Sequence, residues 1–553
     1  MNKEHTTSKT MQAKINLILI IVTITLISFF VSYVKVIEYF VASPLALSEN
    51  IGINGHIPTH IDYSVDSSWN NHLNDFINYP GPAIIINFFS NITGVSSYDL
   101  IYLPITAVLY IVMLLCFFKM FSMNFSYINC SLFSLASIYT ISMWPHTWNL
   151  TYHSIGYLSH LLFLYLLIKS FLINNRTKYI TLLVLMHTTS LLSYYSTSIF
   201  NIIFTIALAL WALILLGNKK IAGSMLRFSA LLFIMYVDYD FMVYNVLRYW
   251  KLDFASLLET LVSSVQRFLM GVPYSERLYA YGYPYERILV DIWLSRINLI
   301  FMTFFPITVL LLTFFIKETK IQKLNRLKIC SLVFASLTLA AFESVPYSIF
   351  TGGLSFRYLS LFTPIITVSL ASFIFSNAHI SGKRRKKLLI YSLIIFILIA
   401  AIAGIRLNMI RGIIEGKGTL KKELVSLPEY VALASYAEAQ NPFFSNFQVS
   451  AELRLASVKI KVEQITGFEP FGDKIYQLYD SIVHNDLRKI SESLKTPSIL
   501  ILTYSDFLKP IYGSMWGNAV PPLGKQCMKI LGSELSLVFN SGRIMAFYIP
   551  RTW

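Results

Sequence analysis

Uncharged apolar runs recur along this chain, and the cations between them fall mainly in alternate connectors. INLILIIVTITLISFFVSYV (15–34) and LLIYSLIIFILIAAIAGI (388–405) are the clearest runs. Crossing about 30 Å of hydrocarbon takes roughly 20 such residues. A backbone in hydrocarbon must satisfy its own hydrogen bonds, which leaves only helices and closed barrels. Runs of this length predict an α-helical polytopic membrane protein. The 55% hydrophobic and 13% charged composition agrees, being far too apolar for a soluble chain.

Eleven spans are predicted, near 15–34, 98–118, 127–143, 155–172, 179–194, 198–216, 225–241, 292–316, 328–343, 357–376 and 388–405. With a cytoplasmic N-terminus, the inside connectors collect Lys219 and Lys220, the run from Lys317 to Lys328, and KRRKK at 383–387. The outer cations lie in one long loop, 242–291. That separation obeys the positive-inside rule. It also explains the net charge of +16 without a nucleic-acid partner. The apolar stretch 179–216 is interrupted only by SYYSTS, yet cations flank both ends, so a tight hairpin is expected there. Residues 1–411 are thus the membrane domain, in the cell membrane, with outer loops at 36–97 and 242–291. Residues 412–553, where both charge signs return, form an extracytoplasmic α/β domain. Strands are expected at SILILTY (498–504) and LSLVF (535–539), and amphipathic helices at 420–440 and 474–495.

The first outer loop holds no Lys or Arg but several acids, Asp62 and Asp66 among them. Long ordered connectors tend to be functional. From Asp66 to Asn78 the pattern reads as a short helix at the membrane surface, with Trp69, Leu73, Phe76 and Ile77 on its apolar face. Asp62, Asp66, Asn70 and Asn74 recur every four residues and share the other face. Tyr79-Pro80-Gly81-Pro82 stops that helix and opens AIIINFF. The acids are candidates for catalysis; a solvated face of an interfacial helix is the plainer reading.

Arg357 opens a span at its outer mouth, where a guanidinium can hold a phosphate or simply snorkel to headgroups. Asp238 and Asp240 end the seventh span on the same side and are candidate ligands for Mg²⁺ or Mn²⁺. The outer loop 242–291 adds Arg267, Arg277 and Arg287 among Tyr274, Tyr279, Tyr281, Tyr283 and Tyr285. Such a mix suits sugar stacking and phosphate contact, though membrane-interface belts look alike. His146, His153 and His160 recur every seven residues and read as interfacial packing. Cys116, Cys130, Cys330 and Cys527 show no pairing pattern and read as small apolar residues. The chain has no Walker A loop, GxSxG elbow, HExxH or Rossmann glycine pattern, which argues against nucleotide hydrolysis and soluble-type cofactor chemistry.

The sequence Asp66-Ser-Ser-Trp-Asn-Asn-His72, followed by Tyr79-Pro80-Gly81-Pro82, resembles the acidic first-loop pattern of the GT-C superfamily of membrane glycosyltransferases. The nearer likeness is to protein mannosyltransferase-like and uncharacterised archaeal or bacterial members. Arg357-Tyr358 with Pro364, and the closing LVFNSGRIMAFYIP, are similar to later segments of such proteins. The adjacent acidic pair of many members is replaced by Asp62 and Asp66, and the WWDYG motif of oligosaccharyltransferases is missing. The resemblance implies inverting sugar transfer from a polyprenyl- or dolichyl-phosphate donor to a protein or glycan acceptor. Asp66, or Asp62, would be the base. Arg357, His72, Tyr79, Arg277 and Arg287 would bind substrate, with neither a nucleotide sugar nor a redox cofactor. The other readings are a lipid-linked glycan transporter or polymerase, and a membrane-anchored structural protein.

Overall fold

A computed structural model describes short pieces between residues 45 and 57, then 79–100, 105–121, 150–244 with short gaps and 320–342. In the tail it describes the elements between 427 and 550 named below, with gaps between them. These residues form a helical bundle and a small mixed sheet. Three described helical stretches are long and apolar enough to cross a membrane: His153–Leu172, Ser196–Leu216 and Lys219–Tyr239. Expected spans at 15–34, 127–143, 292–316, 357–376 and 388–405 lie outside the described residues.

The bundle helices are α1 (Gly81–Thr93), α2 (Ile105–Phe121), α3 (Tyr152–Ile173), α4 (Thr177–Ser193), α5 (Tyr195–Leu216), α6 (Lys219–Tyr244) and α7 (Lys320–Phe342). Buried Ala207, Ala209 and Ala212 let neighbours approach α5 closely, the usual device where hydrocarbon surrounds the helices. Trp211 stacks on Phe334 at 4.4 Å and donates Nε1–H to Thr338 Oγ1 at 2.9 Å, tying α5 to α7. The α5–α6 turn is two residues long, and the Asn218 side chain accepts the Ile221 N–H at 3.0 Å to start α6.

Helix α7 departs from expectation. The expected span was 328–343, with the cations before it read as connector, yet helix begins at Lys320. Lys, Gln, Leu and Arg are good helix formers, so the cationic run extends the helix. Its Lys328 donates to the Leu172 carbonyl at 3.1 Å and lies 6.0 Å from the Phe171 ring, meeting the open carbonyl end of α3.

Directions within the bundle follow from its contacts. Tyr110 lies beside Tyr157, and Phe117 meets Tyr165 at 5.6 Å, so α2 and α3 run parallel. Helix α3 runs parallel to α5 as well, because His160 meets Asn201 while Gly156, one turn earlier, meets Thr197. One end of the bundle therefore gathers the starts of α2, α3 and α5 and the end of α4. The opposite end gathers Lys169, Lys219, Lys220 and Lys328.

The tail contains α8 (Leu427–Tyr436), β1 (Phe443–Ser445), β2 (Phe468–Pro470), α9 (Ile475–Val483), β3 (Ser498–Thr503), β4 (Ile511–Tyr512), β5 (Ala519–Val520), α10 (Gly524–Glu534), β6 (Ser536–Asn540) and β7 (Ile544–Ile549). The main sheet has the order β2-β1-β3-β7-β6, parallel through its first three strands and antiparallel at β7 and β6. Both faces are covered. Ile499, Ile501, Ile544 and Ala546 pack with Tyr430 and Leu433 of α8, while Leu500, Leu502, Met545 and Phe547 pack with α9 and α10. Alternation along each strand produces the two cores. The expected strands at 498–504 and 535–539 and the closing strand pair are present, and the expected helices at 420–440 and 474–495 are described as helix over 427–436 and 475–483.

At the carboxyl ends of β1 and β3 the strand order reverses, the place where open α/β sheets commonly bind ligands. Here the chain ties the gap with its own groups. Buried Asp506 accepts the Thr503 N–H at 2.7 Å and the Thr503 hydroxyl at 3.1 Å, and Asn446 Nδ2 donates to it at 2.8 Å. Burial pushes its carboxyl up to about 6, against the pull of those three donors. The folded state therefore binds this proton more tightly than the unfolded chain, whose Asp titrates near 3.9, roughly. Stability contributed this way is present at low pH and lost as pH rises from about 4 to about 6. Hydrogen exchange at the β3 amides, corrected for the intrinsic rate, should show falling protection over that window. Asp506→Asn should flatten the response.

Candidate functional site: a buried polar seam under the first outer loop

Helices α4 and α5 are separated by the single residue Tyr194, in extended conformation at φ −160° and ψ 105°. His187 and Asn201, 14 residues apart, lie 3.4 Å from each other across this break. An unbroken helix would hold them about 21 Å apart. The chain folds back sharply at Tyr194, as expected of the 179–216 stretch.

Two glycines make the fold-back possible. An added Cβ at Gly156 of α3 would lie 2.5 Å from the Tyr194 Cβ. At Gly81 it would lie 2.6 Å from the Ser193 hydroxyl and 3.0 Å from the Leu192 carbonyl. Any side chain at either position would push the helices apart. The Pro80-Gly81 start of α1, which follows the acidic stretch of the first outer loop, is thereby seated on the hinge.

Beneath the hinge runs a line of buried polar groups. The His160 Nδ1 and Asn201 Oδ1 lie 2.6 Å apart, and Asn201 Nδ2 reaches Ser190 Oγ at 3.2 Å and His187 Nδ1 at 3.4 Å. His187 Nε2 faces the Leu232 carbonyl of α6 at 3.1 Å, and the Ser190 and Ser159 hydroxyls are 2.8 Å apart. The Leu232 carbonyl can only accept, so the proton of His187 sits on Nε2 and its Nδ1 accepts from the Asn201 amide. The Asn201 carbonyl then accepts from His160 Nδ1–H. One side-chain amide thus joins two imidazoles on different helices, accepting from one and donating to the other. Above this line, next to the hinge, His153, Tyr157 and Tyr194 form a buried aromatic trio, with His153 and Tyr194 centroids 4.6 Å apart.

Of the residues expected to act, Tyr79 is half-buried directly before the hinge contact. Asp238 is exposed near the end of α6, at the hinge end of the bundle, and Asp240 lies on the same helix. No group of three metal-ligating side chains occurs among the described residues. Asp62, Asp66, His72, Arg277, Arg287 and Arg357 lie outside the described residues, as does His146. His153 and His160, expected as interfacial packing, are both buried, His153 beside the hinge and His160 within the polar line. His187, Ser190 and Asn201 did not stand out in the sequence. An Asn near the start of the apolar run 198–216 was the available signal, since polar groups in spans cost free energy unless paired.

Asn201→Leu should remove the acceptor of one imidazole and the donor to the other. The expected loss is about 1–2 kcal/mol, read from thermal unfolding of the purified protein in detergent. Adding His160→Phe and His187→Phe to Asn201→Leu should cost less than the sum of the single changes, because the partners left unpaired are then gone. No protein-family model and no curated protein matches this chain.

Proposed function

We propose that the chain is a membrane glycosyltransferase of GT-C type, moving a sugar from a polyprenyl-phosphate donor to an extracytoplasmic acceptor with inversion. Asp66 is the base, with Asp62 as the alternate, and it takes the proton of the acceptor hydroxyl as that oxygen attacks the anomeric carbon. The bond from that carbon to the phosphate oxygen breaks, and the lipid phosphate leaves with its charge met by Arg357, Arg277 or Arg287. His72 and Tyr79 contact the sugar, and Asp238 with Asp240 offer carboxylates to a divalent cation.

One observation carries the reading. The cation-free first outer loop passes from its acidic stretch into α1 at Gly81, on the hinge end of the bundle, where Asp238 also lies, while Lys169, Lys219, Lys220 and Lys328 gather at the other end. That polarity supports the eleven-span arrangement with a cytoplasmic N-terminus and an extracytoplasmic tail. The parallel run of α2 and α3 supports it too, because Phe121 and Tyr152 then lie at opposite ends of the bundle, as a further span expected at 127–143 requires. A site at the outer membrane edge then has acids in reach and few competing cations.

A second reading draws on a different observation. The break at Tyr194 and the interior His160, Asn201 and His187 are the features expected of a transporter, which needs interrupted helices and polar groups inside the bilayer. On that reading the chain moves a lipid-linked glycan between leaflets and releases no lipid phosphate.

Asp66→Asn, purified and folded, should lose transfer by about two orders of magnitude or more. Near-normal transfer would exclude Asp66 as the base. Translocation of a lipid-linked glycan by the wild-type chain without release of lipid phosphate would favour the transporter. For topology, a reporter fused after Trp553 should be active only outside the cytoplasm; cytoplasmic activity would refute the odd span count.

A further inference from the structure

Helix α1 carries a face that the described structure leaves uncovered. Its sequence, GPAIIINFFSNIT, has no charge. Ile84, Phe88 and Ile92 recur every four residues and are 40%, 60% and 66% exposed. Ile85 and Phe89 flank this stripe on one side, and Asn87 and Asn91 flank it on the other. At 13 residues the helix is about 20 Å long, too short to span the roughly 30 Å hydrocarbon core.

Its attachment explains how it lies. The buried residues of α1, Gly81, Pro82, Ala83 and Ile86, all sit in its first two turns. Gly81 is seated on Ser193 and Leu192. The helix thus touches the bundle at the hinge and then leaves it, with its apolar stripe facing away. Nearby spans carry similar exposed apolar residues: Val108 and Val112 on α2, and Leu182 and Leu185 on α4. Those faces belong to hydrocarbon where the spans cross it, and the stripe on α1 is of the same uncharged apolar kind.

The polar side chains of α1 point to the same surroundings. Thr93 donates to the Phe89 carbonyl at 2.6 Å, Ser90 to the Val95 carbonyl at 2.8 Å, and Asn91 to Asn87 Oδ1 at 2.6 Å. Asn87 reaches the Ser48 carbonyl at 3.4 Å. Each polar side chain is engaged by the chain itself, as is favourable where water is scarce. We infer that α1 lies in the membrane interface at the hinge end of the bundle, with Ile84, Phe88 and Ile92 inserted among lipid acyl chains and Asn87 and Asn91 toward the headgroups. A helix with one uncharged apolar face and a polar edge binds in this plane by the apolar area it buries. The inference stands whether the chain transfers or transports.

The test uses the full chain in phosphatidylcholine vesicles, with native cysteines replaced and single cysteines placed at Ile84, Phe88, Ile92 or Asn91. Each is labelled with bimane and quenched separately by a nitroxide high on the lipid acyl chain and by aqueous iodide. The stripe positions are exposed, so Phe88→Cys and Ile92→Cys should fold; activity-independent monodispersity checks this. Labels at Ile84, Phe88 and Ile92 should be quenched by the nitroxide lipid and protected from iodide, with Asn91 showing the reverse preference. Iodide quenching of Phe88 and Ile92 equal to that of Asn91 would overturn the inference and leave the stripe in water. Protection from both quenchers would overturn it as well, since another protein segment would then cover the stripe.

Discussion

Inside a helical bundle surrounded by hydrocarbon, a polar side chain keeps its place only if other protein groups complete its hydrogen bonds. Asn201 is where that requirement bears hardest. Its amide has a carbonyl and two N–H bonds to place, and it finds His160 on α3 and both Ser190 and His187 on α4. Those partners reach it only because the chain folds back at Tyr194 and because Gly156 lets α3 close on the hinge. The fold-back, the helix packing and the imidazole tautomers are therefore one linked arrangement.

The same hinge sets what lies at the bundle's end. Gly81, which opens α1 within the first outer loop, comes against Ser193 and Leu192, so this part of the loop is anchored at the hinge between α4 and α5. From there α1 departs with an apolar stripe on one side and asparagines on the other. On the proposed topology, an acidic stretch joined to this point would have a bilayer surface below it and water above. That setting suits chemistry between a lipid-borne group and a hydrophilic acceptor, which is the core of the proposed transfer. The tail solves a comparable problem in water: Asp506 and Asn446 occupy the gap between β1 and β3 and tie two strand ends and a helix start together.

Much of the architecture was legible in residue order, because hydrophobic length and charge segregation are one-dimensional quantities. The helices at 152–173, 195–216 and 219–244 fall where apolar runs predict them, and the hairpin at 179–216 follows from cations at both ends. The strands at 498–503 and 536–540 follow from β-rich runs between turn signals. Helix boundaries were harder: Lys320 to Leu327 looks like a connector by charge, yet its residues favour helix and it simply extends α7.

The seam was not legible, and the reason is physical. His160 and Asn201 are 41 positions apart, and nothing in local sequence states that a histidine on one helix meets an amide on another. Spacing by seven put His153 and His160 on one face, but only packing decides whether that face meets lipid, headgroup or helix. The sequence alone determined which segments are apolar enough to leave water, where the cations gather and where the acidic loop falls, because those depend on composition along the chain. The tertiary structure decided which polar groups pair, which glycine admits a neighbour and which face of α1 stays open, because each depends on atoms brought together from distant positions.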